Sequence, residues 1–392
     1  MSNLEELIER LCLDGVEYKT LGDVATISRG GNFQKKDFTE QGKPCIHYGQ
    51  IYTRYGLFTD KTLTFINDEC FAKQKYAEPN DIIMAVTSEN IEDICKCVAW
   101  LGTEKVAVSG HSAIIHHSLN PKYLAYFFHS QHFFNQKRRL AHGTKVMEVT
   151  PDTLKSIQLP VPPLEVQREI VRILDNFTFL TAELAAELAA RQKQYEYYKV
   201  NLLLENNQSP NVTLNDIAIN RDSQRKPVTS SKRESGNIPY YGASGIVDYV
   251  KDYIFDGDYL LVSEDGANLL ARNTPIAFSI QGKTWVNNHA HILEFDNYYT
   301  RRYVEFYLNS IDLTPYISGG AQPKLNQKNL NSIKIPLPVL QEQQRIVGIL
   351  DRFDTLCNDI TSGLPAEIEA RQKQYEYYRD KLLTFKELKK EV

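Results

Sequence analysis

A nine-residue string that occurs twice constrains this chain more than any other feature. The sequence ARQKQYEYY spans residues 190–198 and again residues 370–378, 180 residues apart in a chain of 392. Related blocks precede the copies: IQLPVPPLEVQREIVRILDNF begins at Ile157, and IKIPLPVLQEQQRIVGILDRF begins at Ile333. This period is too long for a solenoid repeat, so the sequence predicts an internal duplication with similar linkers and altered domains.

The totals exclude several classes of protein. Hydrophobic residues make up 42% of the chain, which is enough for ordinary cores. No apolar run reaches the roughly 18 residues of a membrane span, and the acidic first residues do not resemble a signal sequence. The 6 cysteines are scattered, as is typical of reduced thiols. We therefore expect a cytoplasmic protein with no membrane partner.

The stretches ahead of the two linkers have the texture of short strands. Each contains β-branched or aromatic runs between Gly, Asn and Asp, and each has a helical pattern past its middle. The predicted strands are Ile46–Tyr52, Asp81–Val86, Val106–His116, Tyr259–Ser263, Pro275–Ile280 and Ile292–Phe295, and the predicted helices are Pro121–Gln136 and Thr300–Ser310. These patterns indicate two α+β domains, residues 16–156 and 210–332. Residues 1–15 are predicted to form a short helix, with Ser2 and Glu5 at capping-box spacing.

The linkers, residues 157–209 and 333–392, are predicted to be long helices. Prolines mark their starts, and the apolar period then changes to 3.6 residues. A helix from Leu164 to Leu204 would be roughly 60 Å long and needs a partner for its apolar seam. Its duplicate, Gln341–Leu388, is the natural partner in an antiparallel coiled coil. The predicted seam comprises Ile170, Leu174, Phe177, Leu184, Leu188, Tyr195, Tyr198, Ile346, Leu350, Phe353, Tyr375 and Tyr378.

One region distinguishes the two linkers. The second has Gly363 and Pro365, which predict a break, whereas the first has the tetrads TAEL and AAEL at residues 181–188. Four helical residues add about 6 Å and about 40° beyond a full turn, whereas one DNA base pair adds about 3.4 Å and, at about 10.5 per turn, about 34°. The tetrads are therefore either simple helix-forming filler or a ruler that changes length nearly in step with DNA.

The paired proline blocks, the ARQKQYEYY ends and the central tetrads together resemble the specificity (S) subunit of type I restriction–modification systems. The resemblance covers essentially the whole chain. It implies two target-recognition domains held apart, with pseudo-twofold symmetry, by the antiparallel coiled coil of two conserved regions. Each domain would recognise one half of a bipartite, asymmetric site in double-stranded DNA, in a bacterium or archaeon.

The same resemblance implies partners and cofactors. Type I methyltransferase (modification) subunits would dock on the conserved regions, and an endonuclease/translocase subunit would join them to restrict DNA. S-adenosylmethionine, ATP and magnesium would be used by those partner subunits, with no cofactor bound by this chain.

Candidate DNA contacts are polar or basic residues in predicted loops. Arg and Lys would bind phosphates, and Asn, Gln, Ser and Arg could contact base edges. In the first domain they are Lys35, Lys36, His47, Tyr48, Arg54, Ser88, Asn90, Lys137, Arg138, Arg139, Thr144 and Lys145. In the second domain they are Arg225, Lys226, Tyr240, Tyr241, Ser244, Asn268, Arg272, Asn287, Asn288, His289, Gln322 and Lys324. For each residue alone, a solvated loop side chain is the alternative.

Charge does not favour DNA over other partners. Residues 16–156 contain 17 Lys and Arg against 15 Asp and Glu, and residues 210–332 contain 12 against 13. A DNA-binding domain usually has a basic surface. The charge balance therefore keeps open a second hypothesis, a coiled-coil scaffold or adaptor whose two domains bind proteins.

Motifs for catalysis or metal binding are not found. Gly282-Lys283-Thr284 lacks the earlier glycine of a P-loop, because Ala277 stands there. Cys95, Cys97, His116 and His117 do not have zinc-site spacing, so the thiols are predicted to be buried. The Glu92-Asp93 and Glu264-Asp265 pairs are predicted to lie in polar turns. We therefore predict a non-catalytic subunit with no metal site.

Overall fold

The computed structural model describes residues 3–205, 209–319 and 322–388. Contacts divide the chain into two compact units: Met1–Glu183 with Ile368–Val392 form unit 1, and Leu184–Glu367 form unit 2. Each unit combines mixed β-sheets with helices, so the predicted α+β class and duplication are confirmed. The unit boundaries fall inside the long helices, and each unit includes parts of both linkers.

Unit 1 contains two five-stranded sheets and two short strand pairs. In one sheet Ser112–His117 lies between Ala25–Arg29 and Ile82–Ala85, antiparallel to both. The strands are Tyr18–Thr20, Ala25–Arg29, Phe38–Thr39, Lys43–Ile46, Phe58–Thr59, Thr64–Ile66, Tyr76–Ala77, Ile82–Ala85, Thr87–Ser88, Cys97–Trp100, Val106–Val108, Ser112–His117, Met147–Glu148 and Gln158–Pro160. The helices are Asn3–Leu11, Leu21–Val24, Lys35–Asp37, Tyr48–Thr53, Asp68–Ala72, Pro121–Phe128, Gln131–Leu140 and Pro151–Leu154.

Unit 2 is built on a six-stranded sheet with one further strand pair. Phe255–Ser263 lies centrally, antiparallel to both Ala277–Val286 and Ala290–Glu294. The strands are Asn211–Thr213, Ile219–Asn220, Ser235–Gly242, Gly245–Val250, Phe255–Ser263, Ala277–Val286, Ala290–Glu294 and Lys334–Pro336. The helices are Leu214–Ile217, Asp222–Gln224, Ser230–Lys232, Asn268–Ala271, Tyr298–Ser310, Thr314–Tyr316, Gln327–Asn331 and Leu340–Asn358.

The two units begin with the same local structure. Tyr18–Thr20 pairs antiparallel with Gln158–Pro160, and Asn211–Thr213 pairs likewise with Lys334–Pro336. A short helix follows each first strand, and both helices are capped by a threonine, Thr20 or Thr213, which exchanges hydrogen bonds with an aspartate three residues on. Each proline block therefore closes the domain that precedes it.

Buried tyrosines and glutamines attach each domain to its linker. The Tyr123 hydroxyl donates to the Pro160 carbonyl at 3.1 Å, and the Tyr303 hydroxyl donates to Pro336 at 2.7 Å. The Gln167 amide donates to the Pro162 carbonyl, and Gln343 donates to Pro338, both at 2.8 Å. These equivalent bonds explain why the proline blocks changed little while the sheets diverged.

The long segments form as the pattern predicts. Leu164–Val200 is one α-helix of 37 residues, and a π-helical turn, Asn201–Glu205, extends it. The second segment consists of Leu340–Asn358 and Leu364–Leu382, separated at the predicted Gly-Pro break. The Leu164 helix runs from unit 1 into unit 2, and the second segment returns from unit 2 to unit 1. Aromatic rings pair across these segments: Phe177 with Tyr378 at 5.5 Å in unit 1, and Phe353 with Tyr195 and Tyr198 at 6.0 and 5.4 Å in unit 2.

Three local predictions need correction. Ile46–Tyr52 is not a strand, because His47 caps a helix that begins at Tyr48. Pro121–Gln136 divides into two helices, since Ser130 caps a new one. Val106–His116 is two strands separated by a turn. The Asn3–Leu11 helix agrees with prediction, but its proposed cap residue Ser2 lies outside the described residues. Within the described ranges, no helix is both long and apolar enough to cross a membrane.

Candidate nucleic-acid interface

A histidine is held at an equivalent position in each unit, in an arrangement we call the histidine corner. In unit 1 it consists of Thr87, His111 and the strand Met147–Glu148, and in unit 2 of Asp265, His289 and Lys324. The His111 carbonyl accepts from the Val86 amide at 3.0 Å, and the His289 carbonyl accepts from the Glu264 amide at 2.9 Å. A third segment lies beside each of these bonds. The Val149 amide donates to the Val86 carbonyl, and the Leu325 amide donates to the Glu264 carbonyl.

A short hairpin completes each corner. In unit 1 the amides and carbonyls of His142 and Glu148 bond to one another at 3.1 and 2.8 Å, and in unit 2 Ser318 and Lys324 do the same at 2.8 and 2.7 Å. Gly143 and Gly319 follow the first residue with φ of 111° and 84°, conformations that favour glycine. The hairpins approach the corner through pairs Met147–Ser88 and Asp265–Lys324. The unit 2 hairpin brings the predicted Gln322 to the cleft that His289 also lines.

The side chains that hold the two histidines differ. The His111 Nδ1 atom lies 3.2 Å from the Thr87 hydroxyl, whereas the His289 Nδ1 atom lies 3.0 and 2.9 Å from the two carboxylate oxygens of Asp265. The DNA contacts predicted from the sequence include His289 but not His111, Thr87 or Asp265. Gly143 and Gly319 are 176 residues apart, the same spacing as the two proline blocks. This repeated spacing is the sequence signal that could have identified the corner.

Aromatic rings extend the unit 1 corner. The centroid of the Tyr48 ring lies 4.9 Å from that of the His111 ring and 4.6 Å from that of the His47 ring. The Tyr48 amide donates to the Ser109 hydroxyl at 2.8 Å, which fixes the start of the helix. His47 is buried, its Nδ1 accepts from the Gly49 amide, and burial, with Lys35 and His111 nearby, lowers the pKa of its imidazole. Tyr48 and His111 are therefore the accessible rings, while His47 supports them.

Several predicted cations of unit 1 face solvent without an acidic partner. Among the described residues, these side chains make no ion pair: Lys35, Lys36, Arg54, Arg138, Arg139 and Lys145. Ser88 is half-buried beside the hairpin, and Asn90 is exposed with its amide bonded to Asp93 at 2.8 Å. Exposed cations without acidic partners are suited to phosphate contact.

The position of Lys137 differs from the prediction that it contacts DNA. Its side chain is buried, and Nζ donates to the carbonyl oxygens of Glu92 and Ile94 at 3.0 and 2.6 Å. Burial lowers the pKa of this ammonium group. Lys137 therefore anchors the loop that carries Asn90 and is not available to DNA. Cys95 and Cys97 are buried nearby, as predicted.

In unit 2 a buried ionic cluster underlies the corner. The His291 Nδ1 atom lies 2.5 Å from Asp222, and its Nε2 atom lies 2.7 Å from the Leu325 carbonyl. Arg225 contacts Glu264 at 2.6 Å and Lys324 contacts it at 3.0 Å. Although burial opposes it, these cations hold the pKa of Glu264 below its usual value. Asp222, Glu264 and His291 lie close enough to hold a metal, but Arg225 and Lys324 already form ion pairs with the two carboxylates.

This cluster corrects two further predictions. Glu264 is a buried ion-pair residue rather than part of a polar turn. Arg225 is occupied by Glu264, Asp222 and the Ala290 carbonyl, which leaves it without a group for a phosphate.

Other predicted contacts in unit 2 divide by exposure. Tyr240 is buried and its hydroxyl accepts from the Val228 amide, and Asn287 is buried and its side-chain oxygen accepts from the His289 amide, so both side chains support the loops from within. The Asn268 side chain bonds to Thr274, and the Arg272 guanidinium bonds to the Ile311 carbonyl at 2.9 Å, so both support the loop. Tyr241 is half-buried, whereas the exposed candidates are Lys226, Ser244, Asn288, His289, Gln322 and Lys324.

Comparisons with known proteins identify the family. The model of the type I restriction modification DNA specificity domain matches residues 14–191 and again 206–370. The EcoprrI specificity subunit of Escherichia coli, a type I restriction enzyme subunit, is 30% identical over 382 residues, which cover 92% of each chain. A putative type I specificity subunit of Haemophilus influenzae is 41% identical over 194 residues, 48% of this chain and 50% of that protein. Another Escherichia coli type I subunit is 38% identical over 261 residues, 59% of this chain.

The coverage and the solved structures complete the comparison. The matches span about half the length of the Haemophilus influenzae relative, and 63% of the second Escherichia coli subunit. The fold matches the S subunit of a type I system from M. genitalium, with a TM-score of 0.58, 18% identity and coverage of 94% of this chain and 96% of that one. The HsdS subunit of Thermoanaerobacter tengcongensis matches with a TM-score of 0.53 and 17% identity, over 95% and 97% of the two chains. With two matched domains and this duplicated fold, the chain belongs to the family of type I restriction–modification specificity subunits.

Proposed function

We propose that this chain recognises a bipartite, asymmetric site in double-stranded DNA and directs the methyltransferase and endonuclease subunits of a type I complex to it. Each unit would contact one half-site, and the linkers would set the gap. The chain would contribute recognition and assembly, whereas catalysis would reside in the partners.

One observation carries the proposal: the two units share their frame but differ in their exposed surfaces. The closing strand pair, the Thr-capped helix and the tyrosine–proline bonds recur in both. The corner residues differ, with Thr87 in unit 1 and Asp265 in unit 2. A shared scaffold with two different polar surfaces is suited to two different base sequences.

The proposed contacts follow from exposure and charge. Cations without ion pairs would bind phosphates, and polar side chains around each histidine corner would contact base edges. For unit 1 the proposed contacts are Lys35, Lys36, Tyr48, Arg54, Ser88, Asn90, His111, Arg138, Arg139, Thr144 and Lys145. For unit 2 they are Lys226, Tyr241, Ser244, Asn288, His289 and Gln322, together with Lys324, which is 52% exposed although it is paired with Glu264.

The proposed partners would use the linkers and supply the cofactors. Exposed aromatic residues on the duplicated string, Tyr197 and Tyr377, have 64% and 61% of their surface accessible. Equal surfaces on equal strings suit docking of the same methyltransferase subunit at each. S-adenosylmethionine, ATP and magnesium would be bound by the methyltransferase and the endonuclease/translocase.

Mapping of modified adenines tests this function. The chain is co-expressed with its neighbouring methyltransferase, and modified positions are found by long-read sequencing. We expect one split motif, two short blocks around a fixed nonspecific gap, which is lost when this chain is omitted. Methylation that is independent of the chain would contradict the proposal.

The near-neutral charge of the recognition stretches favours one alternative, a scaffold that binds proteins through both domains. Gel shifts with the purified assembly discriminate between the two. Sequence-specific retardation supports DNA recognition, whereas stable assembly without any sequence-specific shift supports the scaffold.

The linker helix offers a second test. Inserting one further tetrad after Leu188 adds about 6 Å of helix. We expect both half-sites to remain and the gap to lengthen by about one base pair. An unchanged gap would show that the tetrads are filler.

A further inference from the structure

We propose that His289 is a specificity-determining residue of unit 2, and that Asp265 makes its free ring nitrogen a hydrogen-bond acceptor for the amino group of adenine or cytosine. This inference rests on the proposed function and assigns a chemical preference to one of its contacts.

The imidazole ring of His289 is accessible to solvent. The His289 side chain is 52% exposed, and its Nε2 atom has no hydrogen-bond partner within the described parts of the chain. It lines an open cleft of about 790 Å³ together with Asp265, Gly266, Leu270 and Gln322. Among the described residues that line the cleft, apolar side chains such as Leu270 therefore lie with one imidazole, that of His289.

The backbone that carries the His289 ring is held by several hydrogen bonds. The His289 carbonyl accepts from the Glu264 amide at 2.9 Å, and its amide donates to the Asn287 side chain at 2.8 Å. Glu264 is itself fixed by Arg225 and Lys324. A side chain that is preorganised in this way loses little freedom when it binds.

The contact with Asp265 determines the tautomer of His289. An ionised carboxylate only accepts hydrogen bonds, so the Nδ1 atom that faces both Asp265 oxygens must carry the proton. In the neutral imidazole the other nitrogen, Nε2, is then an acceptor. In the major groove, adenine and cytosine present amino donors, whereas guanine and thymine present acceptors at the corresponding positions. The pair therefore favours adenine or cytosine.

The equivalent position in unit 1 lacks this restriction. The Thr87 hydroxyl near the His111 Nδ1 atom can donate or accept, so either tautomer of His111 is compatible with it. The exchange of threonine for aspartate between otherwise equivalent corners thus changes the chemistry presented to DNA while leaving the backbone frame intact.

The test selects binding sites from a random duplex library with the assembled complex of this chain and its methyltransferase. For the native chain we expect adenine or cytosine at one position of a single half-site. Asp265→Asn should lower the preference at that position about tenfold, because an amide can also donate to Nδ1 and permit the other tautomer. His289→Ala should remove the preference there and leave the other half-site unchanged.

Matched variants separate the outcomes. His116 is another exposed histidine with an aspartate partner, Asp81 at 2.7 Å, outside either corner, so His116→Ala should leave both half-sites unchanged. His111→Ala should affect the other half-site only. If the native complex selects no split site, the proposed function itself fails. If it selects one and His289→Ala or Asp265→Asn leaves every preference intact, or weakens both half-sites equally, the inference alone is overturned.

Discussion

The two units use one frame to support surfaces of different electrostatic character. In unit 1, Arg54, Arg138 and Arg139 are exposed without ion pairs among the described residues. In unit 2, five arginines of the recognition stretch are ion-paired with acidic side chains: Arg221, Arg225, Arg233, Arg301 and Arg302. The nearly balanced charge totals therefore conceal two arrangements of arginine: several are unpaired in unit 1, whereas most of those in the recognition stretch of unit 2 are ion-paired, among the described residues.

The loops after the corners show the same contrast. In unit 1 the Glu92–Ile94 loop is held from within by the ammonium of Lys137. In unit 2 the corresponding loop holds itself to the helix Tyr298–Ser310 through Arg272, which reaches the Ile311 carbonyl. In each unit a cation therefore satisfies backbone carbonyls, but it comes from the helix Gln131–Leu140 in unit 1 and from the loop itself in unit 2.

A fall in pH should lower the stability of unit 1 more than that of unit 2, and this is the largest difference that we expect between them. Burial lowers the pKa of His129 and of His117, both in unit 1, to about 4. Because these imidazoles have an unfolded pKa near 6.5, the unfolded chain binds more protons between about pH 6.5 and 4. Stability is lost as pH falls through that window, by up to about 3 kcal/mol for each histidine. In unit 2, Asp222 and Glu264 have lowered pKa values and lose their contribution only below about pH 5.

Hydrogen exchange followed from pH 7 to pH 4 measures this difference. Unit 1 amides should lose protection first. His129→Gln should reduce the acid sensitivity of unit 1, whereas His132→Gln, an exposed neighbour, should not. Earlier loss of protection in unit 2 would contradict the assignment.

Replacing Lys137 should destabilise unit 1 by about 2–4 kcal/mol. Lys137→Met retains much of the side-chain volume but leaves the Glu92 and Ile94 carbonyls without their donor. Denaturant unfolding checks the magnitude. Arg139→Met, an exposed change in the same helix, should stay within about 0.5 kcal/mol. Equal effects of the two variants would mean that the buried contacts do not stabilise the loop.

The hairpin glycines should respond alike in both units. A Cβ atom at Gly143 would lie 2.1 Å from the Val146 carbonyl oxygen, and one at Gly319 would lie 2.4 Å from the Gln322 carbonyl oxygen. With their positive φ angles, each Gly→Ala change should cost about 1–3 kcal/mol locally. Thermal unfolding, compared with Gly56→Ala at an open position, tests this. A cost at one hairpin only would show that the corners are less equivalent than their backbones.

The smallest expected effect concerns salt. If Arg138 and Arg139 each neutralise one phosphate, Arg138→Gln with Arg139→Gln lowers the slope of log affinity against log salt by about 1.8. Binding of the assembled complex at several salt concentrations measures the slope. Arg233→Gln in unit 2 should leave it unchanged, because Arg233 is bound to Asp248 at 3.0 Å and to the Val228 carbonyl. A slope that falls with Arg233→Gln and not with the Arg138 and Arg139 changes would contradict the assignment of free arginines to unit 1.

The sequence predicted the frame well because its signals are local or repeated. The linker seam follows a helical period, the Gly363–Pro365 break follows from backbone chemistry, and the duplicated blocks identify equivalent elements. Contacts between residues that are distant in the chain could not be predicted from the sequence. Lys137 and Arg138 are adjacent in one basic run, yet only the fold shows that the first faces two carbonyls and the second faces solvent. The pairing of Thr87 with His111 likewise depends on strand register.

Exchange of one domain tests the central claim most directly. Residues 16–156 are replaced by the corresponding stretch of another specificity subunit, the hybrid is co-expressed with the same methyltransferase, and modified adenines are mapped. We predict that one half of the split motif changes completely while the other half and the gap stay the same. A motif that changes in both halves, or in neither, would contradict the account of two separate recognition units on one frame.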